Sequence, residues 1–267
     1  SIAIVATKID TSEGEPEVVE WAPMFNSLIH SDSLRECFVE FSPTLTVGQA
    51  RGKVLLLSRN KYADIPLGGF VTGWSSDKDF ANQQGGLITG SDGSSCPLWM
   101  QDYYEPNSDR EGKERAILLM LDAAMGRDLT TDQPAWVMNY TAGNTKVFLS
   151  DGYRENAVYA NQLMIDYLAD DTHDGATGIV FMDYAGVDQS ENLTGNVYEV
   201  KGLQLVQTLI GQNFRHGSNP TAIRDLGDAV RTPSSSQGWH TLDGIRLADK
   251  PTVRGVYVHE GRLVVVH

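Results

Sequence analysis

Cysteine is nearly absent: Cys37 and Cys96 are the only two in 267 residues. Two thiols cannot build a disulfide framework or a four-ligand structural zinc site, and they leave both their own pairing and the redox compartment open. Basic charge is scarce as well. Lys and Arg total 21 against 35 Asp and Glu, for a net charge of -14. A phosphate-backbone binder needs a basic face, so nucleic acid is excluded as an expected partner, and general adsorption to an anionic membrane is opposed. Long hydrophobic runs are missing too. Runs such as Val54-Leu55-Leu56-Leu57 and Val264-Val265-Val266 are strand-sized, whereas a spanning helix needs about 20 residues. The 26 Gly and 10 Pro follow no period, which removes fibrous repeats, and no repeat of solenoid length is present. With 41% hydrophobic and 21% charged residues, the chain can bury a full core as one large or two small domains.

What is present is an alternation of strand-like and helix-like segments. Short apolar, β-branched runs at 2–6, 53–57, 97–100, 135–138 and 178–182 predict five strands. Helical periods follow at 17–28, 109–125, 156–169 and 195–213, the second with Ala116, Leu119, Met120 and Ala123 at three- and four-residue spacing. Strand followed by helix, repeated, predicts a parallel α/β arrangement. Residues 61–95, rich in Gly, Ser, Asn and Asp, predict a long irregular excursion with a short strand near 69–74. After a loop-like stretch at 215–237, the chain closes with two β runs around Glu260-Gly261, a terminal hairpin.

In such folds ligands bind beyond the carboxyl ends of the strands. The residues there are Lys8 and Asp10, Arg59, Asp102 and Tyr104, Asn139 and Thr141, and Asp183 and Tyr184. Arginine offers a planar fork for phosphate or vicinal hydroxyls, lysine a compact charge, aspartate acceptors for hydroxyls, and tyrosine a face for a ring. The set suits a polyhydroxylated, phosphorylated ligand, although any one such residue taken singly is ordinarily a solvated loop charge. Nucleophile-elbow, zinc-helix, P-loop and dinucleotide-turn motifs are absent. Asp170-Asp171-Thr172-His173-Asp174-Gly175 breaks the alternate acidic spacing of a calcium loop and reads as a solvated turn, so no metal site is expected in this chain. None of the six histidines directly follows a strand, so the usual acid–base pair for phosphoryl transfer is not evident.

Several stretches resemble bacterial phosphatidylinositol-specific phospholipase C, a family of X-domain phosphodiesterases. The most specific is Thr46-Val47-Gly48-Gln49-Ala50-Arg51-Gly52-Lys53 leading into Val54-Leu55-Leu56-Leu57-Ser58-Arg59, similar to the family's Gly-x-x-Arg-Gly-Lys turn before a strand that ends in arginine. Met100-Gln101-Asp102-Tyr103-Tyr104, Trp136-Val137-Met138-Asn139-Tyr140-Thr141 and Gly178-Ile179-Val180-Phe181-Met182-Asp183 follow in the family's order. The resemblance covers about residues 1–214, the later portion of the family's catalytic domain, with residues 215–267 a loop-rich extension ending in the hairpin. It implies a distorted TIM-barrel type of fold, here incomplete, with about five parallel strands and helices.

By that resemblance, Asp183 is similar to the carboxylate that orients the first catalytic histidine. Lys8, Asp10, Arg59, Asp102 and Tyr104 are similar to inositol-contacting residues, with Tyr104 stacking on the ring and the local match weakest at Asp10. The family reaction is attack of the inositol 2-hydroxyl on its own phosphodiester, releasing diacylglycerol and a cyclic inositol phosphate. Its two histidines lie in an earlier segment that this sequence does not match. The chain begins Ser1-Ile2-Ala3-Ile4-Val5, already strand-like, without an initiator Met or a charged-then-apolar leader. An upstream segment or a second chain is therefore expected to complete the barrel, and the chain by itself is expected to be inactive. No cofactor is implied, with calcium arising only if the missing segment supplies its ligands.

The implied partners are an inositol phospholipid headgroup and, transiently, a membrane surface. The implied location is secreted or extracellular. A non-catalytic inositol- or polyol-binding domain is the alternative, and an unrelated α/β hydrolase or sugar-binding domain with similar strand ends is a third reading.

Overall fold

The computed structural model describes residues 3–7, 24–25, 27–59, 67–126, 135–145, 151–173, 175–216, 238–241, 246–259 and 262–266. Contacts divide the chain into a unit over residues 2–219 and a smaller one over residues 220–267.

The larger unit is built on a seven-stranded sheet in sequence order: β1 (Ala3–Thr7), β2 (Val54–Ser58), β3 (Gly69–Thr72), β4 (Gly86–Gly90), β5 (Ser95–Gln101), β6 (Trp136–Tyr140) and β7 (Ile179–Phe181). All five predicted strands are found and all run in one direction. They are not all neighbours, however. The stretch expected to be irregular apart from a short strand near 69–74 supplies that strand as β3, parallel to β2, and in addition β4, antiparallel to both β3 and β5. These two interpose between β2 and β5. Gly73 shows why the turn is glycine-rich: at φ +66 a side chain is strained, and an added Cβ would lie 2.4 Å from the Gly85 carbonyl oxygen. Between β3 and β4 stands only the four-residue helix α1 (Phe80–Gln83), capped by Asp79.

Period-two alternation sorts the strands' side chains onto two faces. Leu55, Leu57, Val71, Ile88, Cys96, Leu98, Met100 and Met138 form one buried cluster with Trp136, Tyr140, Ile179 and Phe181. The intervening residues face helices: Val137 packs with Met120 and Ala124, and Val180 and Met182 pack with Ile117, Leu121, Met164 and Leu205. The face without helices closes on itself. Trp74, just past β3, meets Tyr140 of β6 with ring centroids 6.0 Å apart, although three strand spacings in a flat sheet span roughly 14 Å. The sheet therefore curls, as part of a barrel wall does.

The outer layer is α2 (Arg110–Met125), α3 (Gly152–Ala169) and α4 (Gly202–His216). Asp109 caps α2, its Oδ1 accepting from the Gly112 amide at 3.0 Å. The predicted helix over 195–213 begins later, because a hairpin of β8 (Ser190–Glu191) and β9 (Val197–Tyr198) intervenes. Of the helix predicted at 17–28, residues 24–25, 27 and 28 are described, and they are helical.

In the smaller unit, the predicted hairpin is β12 (Gly255–His259) with β13 (Arg262–Val266). It belongs to a four-stranded antiparallel sheet with β10 (Trp239–Thr241) and β11 (Arg246–Leu247). Residues 217–237, most of the predicted loop, lie outside the described residues.

Candidate functional site

Because β2, β3, β5, β6 and β7 share one direction, the residues that follow them emerge at one end of the sheet. Arg59 leaves β2 and lays its guanidinium 4.4 Å from the centroid of the Trp74 ring. Trp74 Nε1 donates to Asp102 Oδ2 at 2.8 Å. Tyr140 closes the row: it meets Trp74 edge-on and stacks on Phe181 at 4.4 Å. Burial holds the Asp102 carboxyl above the ordinary carboxylate range, while the Trp74 hydrogen bond and the charges of Lys113 and Arg59 pull the other way.

Asp183 stands two residues past β7. Its Oδ2 accepts from the Gly143 amide at 3.2 Å, and burial raises its carboxyl against that bond and the Lys113 charge. The loop after β6 that carries Gly143 is tied to Tyr104, whose carbonyl accepts from the Asn144 amide at 2.7 Å. The Tyr104 hydroxyl pairs with that of Tyr153 at 2.6 Å, and this bond first, then burial, pushes its phenol up to about 12. Tyr184, directly after Asp183, has φ 61, a left-handed conformation uncommon outside glycine, Asn and Asp.

Of the six predicted site residues, Arg59, Asp102, Tyr104 and Asp183 emerge at this end, and Lys8 and Asp10 lie outside the described residues. The strand-end residues Asn139 and Thr141 turn out to be structural. Asn139 donates to the Ile117 carbonyl of α2 at 3.0 Å, and Thr141 Oγ1 bonds Asn161 of α3 at 2.7 Å. Trp74, Tyr140 and Lys113 went unrecognised. The strand predicted near 69–74 takes Trp74 in, whereas β3 ends at Thr72 and leaves Trp74 just past the strand end. Lys113 lies in the apolar stripe of α2, four residues before Ile117, and is fully buried.

Two clefts are lined by none of these site side chains. One of about 380 Å³ is lined by Asn107, Arg110, Tyr159 and Tyr198, and one of about 290 Å³ by Leu45, Trp136 and Gly178 at the opposite strand ends. Among the described residues no group of three or more His, Cys, Asp or Glu is placed to hold a metal ion. In the Asp170 turn the carboxylate accepts from the Thr172 amide at 2.9 Å and from its hydroxyl at 2.8 Å.

Comparison with solved structures identifies the architecture. Two structures of Staphylococcus aureus phosphatidylinositol-specific phospholipase C, both from work on modulation of its membrane binding, superpose with TM-scores of 0.51 and 0.50 at 14% and 15% identity. The fold is that of a bacterial phosphatidylinositol-specific phospholipase C. Each match covers 78% of this chain and 65% of the phospholipase chain. No family model and no curated protein matches the sequence.

Proposed function

We propose that the cluster binds the inositol headgroup of a phospholipid, and that the complete protein is a secreted phosphatidylinositol phosphodiesterase of the phospholipase C type. The observation that carries this reading is the chain Arg59–Trp74–Asp102: a guanidinium fork held on an indole face beside a carboxylate fixed by the indole N–H. Donor and acceptor are thereby held in fixed directions, as recognition of vicinal hydroxyls requires. Lys8 and Asp10 would extend the polar set. Tyr104 would supply the ring-stacking face.

In the proposed reaction the inositol 2-hydroxyl attacks the phosphorus, a base takes its proton, and an acid protonates the departing diacylglycerol oxygen. Asp183 would orient the base and stabilise its protonated form. The base and acid would come from histidines of a preceding segment or a second chain, and calcium would enter only with ligands from there. Membrane contact would be transient, limited to presenting the headgroup.

A non-catalytic polyol binder is favoured by one observation: the described cluster contains arginine, lysine, carboxylates and tyrosine but no histidine. His173 stacks on Tyr167 past the end of α3, and His30 is exposed in another turn.

Calorimetric titration with myo-inositol 1-phosphate and with phosphocholine tests the shared part of both readings. The inositol ligand should bind and phosphocholine should not, and Arg59→Ala should weaken binding about tenfold or more. Equal binding of the two ligands would remove the headgroup assignment. Turnover of phosphatidylinositol by the complete protein, abolished by Asp183→Asn with ligand binding retained, would decide for the enzyme over the binder.

A further inference from the structure

The apolar stripe of α3 is interrupted by a carboxamide. Ala157, Ala160, Met164, Ile165 and Leu168 are buried at helical spacing, and Asn161 among them has no exposed surface. Packing alone would place an apolar residue there, because a buried amide costs free energy unless its polar atoms find partners. Asn161 finds them at the ends of three elements. Its Oδ1 accepts from Thr141 Oγ1, just past β6, at 2.7 Å; its Nδ2 donates to the Val200 carbonyl, just before α4, at 2.7 Å and reaches the Asp183 carbonyl, past β7, at 3.4 Å. The two carbonyls can only accept, which fixes Nδ2 on their side. Asn156, also fully buried, holds Thr141 from its other end, donating to its carbonyl at 2.7 Å. Two residues further on, the buried Gly143 amide donates to Asp183 Oδ2 at 3.2 Å.

We infer that Asn161 is a positioning residue for Asp183: one carboxamide ties the loop after β6 to the turn after β7 and so sets where the Gly143 amide and the Asp183 carboxylate meet. The inference deepens the phosphodiesterase reading above and rests on it for its functional meaning. Asp183 is met at both ends, its carbonyl by Asn161 and its carboxylate by Gly143, and Thr141 links the two. The amides of Thr141 and Ala142 both donate to the Phe181 carbonyl, at 2.9 and 3.3 Å, so the loop and the turn are also joined through the backbone. At 3.2 Å the Gly143 bond stands at the long end of the N–H···O range, so a small slip of either segment breaks it. A side chain that must orient a reacting group has to be held to within about 0.5 Å, which a fully partnered, fully buried amide can enforce and an apolar contact cannot.

The test is amide hydrogen exchange on the ligand-free full chain, in the wild type, in Asn161→Ala and in Gln212→Leu. Gln212 is the control, a second buried amide of the helical layer, whose Nε2 donates to the Leu168 carbonyl near the end of α3 at 2.8 Å. In Asn161→Ala the Gly143 amide should exchange about tenfold faster or more. The Asp183 carboxyl midpoint, followed by carbon-13 NMR, should rise with it, because the amide that supports the charge is lost. In Gln212→Leu both should keep their wild-type values. Wild-type protection of Gly143 in Asn161→Ala, or equal changes in Gln212→Leu, would overturn the inference and leave Asn161 as packing. Should Asn161→Ala fail to fold, Thr141→Val decides, since it keeps the shape and removes the hydroxyl that Asn161 accepts from: faster Gly143 exchange and a raised Asp183 midpoint support the role, and unchanged values overturn it. A myo-inositol 1-phosphate titration of the wild type separates the two ideas. Faster Gly143 exchange in Asn161→Ala without ligand binding by the wild type would sink the headgroup reading and leave the positioning role standing.

Discussion

Arg59, Trp74 and Asp102 come from three different strand ends, and each fixes the next: cation over ring, ring N–H to carboxylate. The indole is the pivot, and its role can be isolated. Trp74→Phe keeps a ring face for Arg59 and removes the donor, leaving a half-buried acceptor that costs about 1–3 kcal/mol. The pH dependence has a definite sign. Asp102 titrates above its unfolded 3.8, so its ionisation erodes stability as pH rises from there through the folded midpoint. Losing the Trp74 hydrogen bond moves that midpoint higher, so the gap in melting temperature between wild type and Trp74→Phe should widen from pH 4 to pH 7. A constant gap would show that the indole N–H does not stabilise the carboxylate. Lys113 works in the opposite sense. Its folded midpoint near 7 lies below the unfolded 10.5, so the unfolded chain holds the extra proton between those values and stability lost to burying the amine is regained as pH rises across them. The melting temperature of wild type relative to Lys113→Met should therefore climb between pH 7 and pH 10, and a flat difference would argue against a titrating Lys113.

At the level of elements, the strands were legible because their apolar runs are short, β-branched and bounded by turn residues, and α2 because its stripe repeats every three to four residues. The antiparallel β4 was not. Gly86-Leu87-Ile88-Thr89-Gly90 has a single strong core residue, Ile88, between glycines that packing demands, so composition reads as loop while pairing makes a strand. The start of α4 was missed for a related reason: its helical pattern continues upstream through 195–201, where hairpin hydrogen bonds prevail instead. Site residues directly after apolar strands could be found by the strand-end rule, while Trp74 depends on where β3 ends and Lys113 on which helix face meets the sheet, which only the assembled sheet decides. The start of α4 also sets the turn that carries Asp183. A Cβ on Gly202 would lie 2.0 Å from the Tyr184 carbonyl oxygen, and Tyr184 already holds φ 61. Gly202→Ala must push this turn away, at a cost of about 1–3 kcal/mol, and should displace Asp183 from the Gly143 amide. Thermal melts and the Gly143 amide shift read both effects, and a variant with wild-type stability and an unmoved Gly143 signal would show that the turn does not position Asp183.

On the scale of the whole molecule, chemistry and packing are concentrated in one unit. Among the described residues, the apolar clusters use residues between Phe25 and Leu209 and the site residues lie between Arg59 and Asp183, all before position 220. The 220–267 unit has its own four-stranded sheet, with Trp239 stacked on His259 at 4.4 Å. A unit that carries its own core and its own hydrogen-bonded sheet is expected to fold by itself. A chain ended after Asn219 should therefore melt in one cooperative transition, keep the near-ultraviolet circular dichroism that Trp74, Trp136 and Tyr140 give in their packed environment, and bind myo-inositol 1-phosphate with the affinity of the full chain. If the shortened chain loses its cooperative melt, the larger unit depends on the smaller for stability. If it melts normally and loses only the ligand, residues beyond 219 contribute to the headgroup site, and the assignment of that site to the strand ends of the larger unit is incomplete.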